Sequence, residues 1–354
     1  MKSPAPFLDC SSLAAFLNGS SDWIGQEMAR YLPDREPKSY LYDLARDYPS
    51  RGGKRVRPAL LLLSCTLAGG EAALALPSAL ALEMFQNFAL VHDDIEDGSL
   101  LRRGHPTLHR IHGVPLAINA GDFLLGLVFE LLAENEPLLG AAKAWEVQRE
   151  FSRVFRETFE GQAMDIGWVE TNHLPDRKEF ETMIQKKTGW YTGRGPCQIG
   201  ARIAGADEAV IAALGQFGQL LGIGFQVRDD LLNLAPDSSL TAPGVLSGGY
   251  GKERGGDIAE GKRTLVVIEL LERLPPGEAE RVREILMTPP AETSPEDINW
   301  VIDRAEQTGS LEAVSRHCSD LGHRAGRILE GLPPSPQTSL LESLTGYLIR
   351  DRNA

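Results

Sequence analysis

The chain has 354 residues, 42% of them apolar and 24% charged, which fits an ordinary soluble globular protein and not a disordered, collagenous or coiled-coil chain. Its 36 basic and 49 acidic residues leave a net charge of −13, which disfavours a general nucleic-acid binder and leaves any anionic ligand to local basic clusters. The four cysteines, Cys10, Cys65, Cys197 and Cys318, are far apart with no CxxC pair, against a zinc site or a secreted disulfide framework.

Residues 1–50, with prolines at 33, 37 and 49, read as short helices, and the start lacks the charged and apolar run of a signal peptide, so a cytoplasmic protein is expected. RGGKRVRP (51–58) is a basic glycine loop, and a core helix follows from Ala59 to Gly69. Pro77, suited to a first helical turn, opens a long helix that runs to about Gly98. Further helices are expected at 121–134, 141–165, 177–204, 207–234, 262–273, 310–331 and 338–350. Ser294-Pro295-Glu296-Asp297 reads as a helix start, with a capping hydroxyl and then acids in the first turn. The longest uncharged run, Ala209 to Val227, holds three glutamines and four glycines and reads as a buried helix rather than a membrane span. Period-two alternation is rare and no hairpin signal sits between strand-like runs, so the fold class is all-α. Residues 235–256, rich in Pro, Ser and Gly, read as a lid.

Two acidic clusters carry the chemistry. In Asp93-Asp94-Ile95-Glu96-Asp97 the first and last aspartates, four apart, share a helix face, where like charges repel by about 0.2–0.5 kcal/mol per pair. The apolar run Leu80 to Val91 leads into them, so a cation is expected there, and Mg²⁺ held by carboxylates and substrate phosphate fits. A solvated acidic helix end is the alternative. Arg102-Arg103-Gly104 follows five residues after Asp97, as expected where cations and metal clamp one phosphate group. Phe225-Gln226-Val227-Arg228-Asp229-Asp230 repeats the pattern 136 residues after Asp93, with Asn233 in place of a third carboxylate.

The basic elements are weaker signals. Lys54 and Arg57 lie in the glycine loop, Lys187-Thr188 pairs a cation with a hydroxyl, and Lys252 and Lys262 bracket a glycine-rich segment. Each suits an anion; alone, the first is equally a solvated loop, the second says little, and the third is more often a solvated loop. His92, beside an apolar helix, reads as a packed histidine rather than a catalytic base.

Together these blocks resemble the trans-isoprenyl diphosphate synthases, or polyprenyl synthetases. The match comprises GGKRVRP (52–58), DDIED with RRG (93–104), Gly121-Asp122, EGQAMD (160–165), Lys187-Thr188, FQVRDD (225–230) and GK…GGD…EGKRT (251–264), in family order over residues 52–264. The last 90 residues resemble the family only generally. The resemblance implies one all-α domain over residues 1–354 around a central cavity, usually a homodimer, with helices 265–354 completing it. The implied reaction is the 1′-4 head-to-tail condensation of isopentenyl diphosphate with an allylic diphosphate, with three Mg²⁺ ions. Asp93, Asp97 and Asp229 are the implied direct metal ligands, with Asp94 and Asp230 supporting them or bound through water. Lys54, Arg57, Gln86 and Arg103 would hold isopentenyl diphosphate. Arg102, Lys187, Thr188, Gln226, Lys252 and Lys262 would hold the allylic diphosphate, with Thr188 and Gln226 also stabilising an allylic cation. Gln162 and Asp165 belong to a motif of less defined role, and Asn233 departs from the DDxxD pattern.

Product length is read from the helix before Asp93. At about 1.5 Å per residue, Phe88 lies roughly 7.5 Å and Phe85 roughly 12 Å from the acidic end, so either ring is a candidate floor for the growing tail, plain packing being the alternative. Ala89 beside Phe88 resembles some geranylgeranyl (C20) synthases, which places C20 ahead of C15 and of C25 or longer. The other function classes weighed are a terpene cyclase or lyase on the same scaffold, a non-catalytic regulatory subunit and a metal-dependent nuclease. The first has no need of Lys54, Arg57 and Arg103, the second would be expected to lose an acidic cluster, and the third is disfavoured by the net charge.

Overall fold

The structure, a computed structural model, describes residues 12–235 and 254–350. Lys252, the lid expected at 235–256 except its two ends, and Cys10 lie outside the described residues. The chain forms two compact units, one of Met1–Val154, Tyr191–Gly218 and Ile328–Leu344, the other of Phe155–Trp190, Gln219–Arg327 and Thr345–Ala354. All five of their boundaries cut continuous helices rather than linkers.

In the first unit the central element is the Ala72–Glu96 helix. Its side chains are apolar on almost every face, so it is enclosed on almost every face: Leu76, Leu80, Leu82, Met84 and Phe85 are all buried. It packs on Val114–Ala133 and on Val56–Leu67, which in turn packs on Gly195–Ala204. Leu60 to Leu63 are fully buried in Val56–Leu67, each contributing about 1.5–3 kcal/mol of burial. Glycine sets some of these approaches. A Cβ at Gly200 would lie 2.2 Å from the Leu61 carbonyl, and one at Gly193 would lie 1.7 Å from that of Gly218. The glycines of the uncharged run thus serve packing within the chain.

The second unit ends the Glu208–Leu234 helix and adds Leu265–Arg273, which packs on Arg177–Ile184, Pro276–Met287 and Pro295–Gln307. The start expected at Ser294 is present, its hydroxyl accepting from the Asp297 amide at 3.1 Å. Arg177–Ile184 opens on a full capping box between Asp176 and Glu179.

Several expectations need correction. The second long helix starts at Ala72, so Pro77 lies inside it. The stretch 177–204 contains a π-helical segment, Gln185–Arg194, between two α-helices. The helix Pro276–Met287 was hidden by its Pro-Pro-Gly opening. The RRG block forms a small antiparallel hairpin, Leu101–Arg102 with His105–Pro106. Its turn residues Arg103 and Gly104 have φ of 54° and 76°, the sign pattern of a type I′ turn, and these are the only strands among the described residues. The fold remains all-α.

Candidate active site

The acidic end of Ala72–Glu96 is built on a fixed carboxylate. Asp94 is fully buried; its Oδ1 accepts from Arg102 Nε at 2.9 Å and from Arg102 Nη2, and its Oδ2 from the Tyr48 hydroxyl. Burial, with the Asp94 charge and hydrogen bond, pushes the Tyr48 hydroxyl above the ordinary phenol range. Burial disfavours the Arg102 charge, but Asp94 and then Asp93 outweigh it and raise the guanidinium above its usual value. Arg102 Nη2 also lies 3.4 Å from Asp93 Oδ2. Asp94 is therefore the support of the cluster, while Asp93 is partly exposed and Asp97 caps the helix end. Sequence reasoning missed Tyr48 and Arg51. Arg51 stacks on the Tyr48 ring and donates to the carbonyls of Arg102 (2.9 Å) and Pro106 (2.8 Å), pinning the hairpin in place.

The same unit brings the glycine loop to the hairpin turn. Arg103 donates to the carbonyls of Gly52 and Tyr48, and its guanidinium packs where a Cβ on Gly53 would be 3.0 Å away. Arg57 donates to the Tyr191 hydroxyl at 2.8 Å and stacks on that ring. Arg57 Nε and Gln86 Oε1 are buried without a hydrogen-bond partner, which marks a place where a polar ligand or water completes the site. Lys54 lies in the same loop, between Gly53 and Arg57 in sequence. Glu83, the one charged residue of the run 72–91, is buried; burial raises its carboxyl above the usual range, and the charges of Arg55, Arg57 and Arg103 act against this. Its isolation in an apolar run was the available sequence signal.

Phe85 and Phe88 are both buried, with ring centroids 5.6 Å apart, and Phe85 meets Tyr191 edge-on at 6.1 Å. Ala89 is half-buried next to them. His92 is packed between the Phe88 ring (4.6 Å) and Gly121, whose missing side chain leaves it room, with Nε2 3.4 Å from Asp122. That accounts for the Gly121-Asp122 block.

In the second unit one hydrogen-bonded row joins three of the expected residues. Thr188 Oγ1 donates to Gln226 Oε1 at 3.3 Å, and Gln226 Nε2 donates to Asp230 Oδ1 at 2.9 Å. Lys187 pairs with Asp165 at 2.5 Å. A Cβ on Gly161 would lie 2.2 Å from the Lys187 amide nitrogen, so Gly161 is what lets the two segments approach. The EGQAMD block thus supplies both the clearance and the carboxylate for Lys187. Asn233 is fully buried, and its side-chain oxygen accepts from the Asp257 amide at 3.2 Å. It holds the GGD turn. Lys262 lies 3.0 Å from Glu260, and its neighbour Arg263 is buried and donates to the carbonyls of Gly261, His173 and Leu286.

The donor set suits Mg²⁺. Burial, then the charges of Asp257 and Asp229, pushes the Asp230 carboxyl up to about 8, against the Gln226 hydrogen bond and Lys262. A divalent cation relieves such a crowding of carboxylates. Among the described residues no three His, Cys, Asp or Glu side chains converge on one point.

The family model for polyprenyl synthetase matches residues 38–304. The chain is 34% identical over 329 residues to the geranylgeranyl pyrophosphate synthase of Geoglobus acetivorans, an alignment covering 92% of this chain and 95% of that protein. Its structure resembles that of a geranylgeranyl pyrophosphate synthetase from Pyrococcus horikoshii, with TM-score 0.85, 33% identity and coverage of 96% and 98% of the two chains. It also resembles a geranylgeranyl pyrophosphate synthase from Corynebacterium glutamicum solved with isoprenyl diphosphate and magnesium, with TM-score 0.84, 28% identity and coverage of 94% and 99%. The fold is thus of the all-α isoprenoid synthase type. The chain belongs to the polyprenyl synthetase family and is a prenyl-transferring enzyme.

Proposed function

We propose that this enzyme condenses isopentenyl diphosphate with an allylic diphosphate, 1′-4 and head-to-tail, to give all-trans geranylgeranyl diphosphate. The observation that carries the reading is the meeting of the GGKRVRP loop with the RRG turn through the Arg103 hydrogen bond to the Gly52 carbonyl, with Arg57 Nε and Gln86 Oε1 buried without a hydrogen-bond partner. A cyclase has no use for this second diphosphate cradle.

In this reading Lys54, Arg57, Gln86 and Arg103 hold isopentenyl diphosphate, and Arg102, Lys187, Lys252 and Lys262 hold the allylic diphosphate. Arg102 is oriented by Asp94 through Nε and Nη2, which leaves Nη1 for a phosphate oxygen. Asp93, Asp97 and Asp229 are the metal ligands, with Asp94 and Asp230 behind them. Three Mg²⁺ ions held by these carboxylates would supply the charge neutralisation that lets the allylic diphosphate leave. The oxygens of Thr188 and Gln226 present dipoles to the allylic cation without reacting with it. Apolar side chains, the Phe85 and Phe88 rings among them, keep water away from it. The isopentenyl double bond attacks, and the departing diphosphate takes the proton, so no side-chain nucleophile is required.

We further propose one catalytic domain over residues 1–354, a cytoplasmic location and a homodimer. Three helices, Ala72–Glu96, Val114–Leu139 and Glu208–Leu234, are long and apolar enough to cross a membrane, but 83% of the apolar window of the first is buried in protein. On Val114–Ala133 the exposed Val114, Ile118 and Phe129 fall on one stripe, which a second copy covers in this reading. The deciding experiment supplies isopentenyl diphosphate with dimethylallyl, geranyl or farnesyl diphosphate and separates the dephosphorylated products. Elongation to C20 is expected; cyclised hydrocarbon would support the cyclase, and C15 or C25 the neighbouring chain lengths.

A further inference from the structure

We propose that the Leu13–Met28 helix is a positioning element for the isopentenyl diphosphate loop, acting through Ser21 and Gly25 on Arg55; the proposal rests on the reading of that loop given above. The helix precedes residues 38–304, the segment matched by the family model.

Arg55 differs from its basic neighbours in where its charge goes. Its side chain is only 10% exposed, and the guanidinium donates to the Ser21 carbonyl, to Ser21 Oγ at 3.1 Å and to the Pro49 carbonyl at 3.2 Å. Its Nε lies 4.0 Å from the buried Glu83. The contact with the helix is close because residue 25 is glycine: a Cβ there would be 2.6 Å from Arg55 Nη1. Ser21 holds the loop a second time, donating from Oγ to the Gly53 carbonyl at 2.8 Å. One hydroxyl therefore accepts from Arg55 and donates to Gly53, and Lys54 is the residue between those two anchors.

The loop needs such an anchor. Gly52 and Gly53 have φ of 77° and 137°, and Arg55 has φ 45° and ψ 47°. Glycines leave a segment free to take many shapes, and an arginine in the left-handed region persists only when its surroundings hold it there. A diphosphate is bound tightly only by cations already in place. Glu83 completes the arrangement as a buried carboxyl whose Oε1 lies 4.0 Å from Arg55 Nε.

The test is steady-state kinetics in both substrates on Ser21→Ala, Ser21→Thr and Arg55→Gln, with Lys54→Ala and Arg57→Ala alongside and thermal melting of each. Ser21→Ala and Arg55→Gln are expected to raise KM for isopentenyl diphosphate roughly five- to twentyfold, with kcat and the allylic KM changed less than about twofold. Ser21→Thr, which keeps the hydroxyl, restores the wild-type value. If Arg55→Gln melts too early to assay, the Ser21 pair decides. An unchanged isopentenyl diphosphate KM in Ser21→Ala, with a raised one in Lys54→Ala and Arg57→Ala, overturns the anchor and leaves the loop's function standing. Equal losses for both substrates overturn it as well. No effect of Lys54→Ala or Arg57→Ala removes the loop reading itself and the anchor with it.

Discussion

Asp93 and Asp94 are adjacent, yet their surroundings divide them into a presented carboxylate and a buried support. Asp93→Ala is accordingly expected to lower turnover by orders of magnitude with little change in melting temperature, measured by product formation and calorimetry; near-normal turnover would sink the metal-clamp account. Asn233 is the instructive departure from the family pattern. Because it is buried and holds the Asp257 amide, Asn233→Asp should not raise activity although it restores the third carboxylate. It would add an acid beside Asp230 and Asp257 and destabilise the apo-protein by about 1–3 kcal/mol, read from urea denaturation. The acidic residues themselves were legible from spacing. Tyr48, Arg51 and Arg55 were not, because their roles depend on carbonyls and carboxylates far away in sequence.

Among the elements, the π-helical segment Gln185–Arg194 is the least foreseeable, since its i→i+5 bonding leaves no periodic trace distinct from the α-helices on either side. It carries Lys187, Thr188 and Tyr191, and π-bulges often occur at functional sites. Gly161→Ala tests this contact: a methyl group 2.2 Å from the Lys187 amide must push the segments apart, with a destabilisation of about 1–3 kcal/mol and a raised KM for the allylic substrate. The Ala72–Glu96 helix was recognised from its apolar run, though its start was misplaced by Pro77. Phe85 and Phe88 pack on each other, so removing either ring is expected to lengthen the product, Phe88→Ala more than Phe85→Ala, as seen by chromatography of dephosphorylated chains. Unchanged length in both would place the ruler elsewhere.

For the whole molecule, the apolar stripe of Val114, Ile118 and Phe129 gives the clearest handle. If the proposed homodimer forms through this stripe, the wild-type chain has the mass of a dimer and Phe129→Asp that of a monomer, as measured by light scattering on a sizing column; equal masses for the two would overturn the assignment of this face. Fold class and the order of the chemical blocks were legible throughout because both rest on local periodicity and short motifs. The hairpin escaped because two-residue strands have too little length to alternate. Outside glycine, only Arg55, Arg103 and Asn172 have positive φ among the described residues, and two of these three belong to the basic loop and turn. Glycine would sit more comfortably at positions 55 and 103. Drift toward glycine at either position would relax the backbone yet strand the carbonyls of Ser21, Pro49 or Gly52 that the guanidinium groups now serve and loosen the unfolded chain further, so selection for heat resistance should keep both arginines despite their backbone.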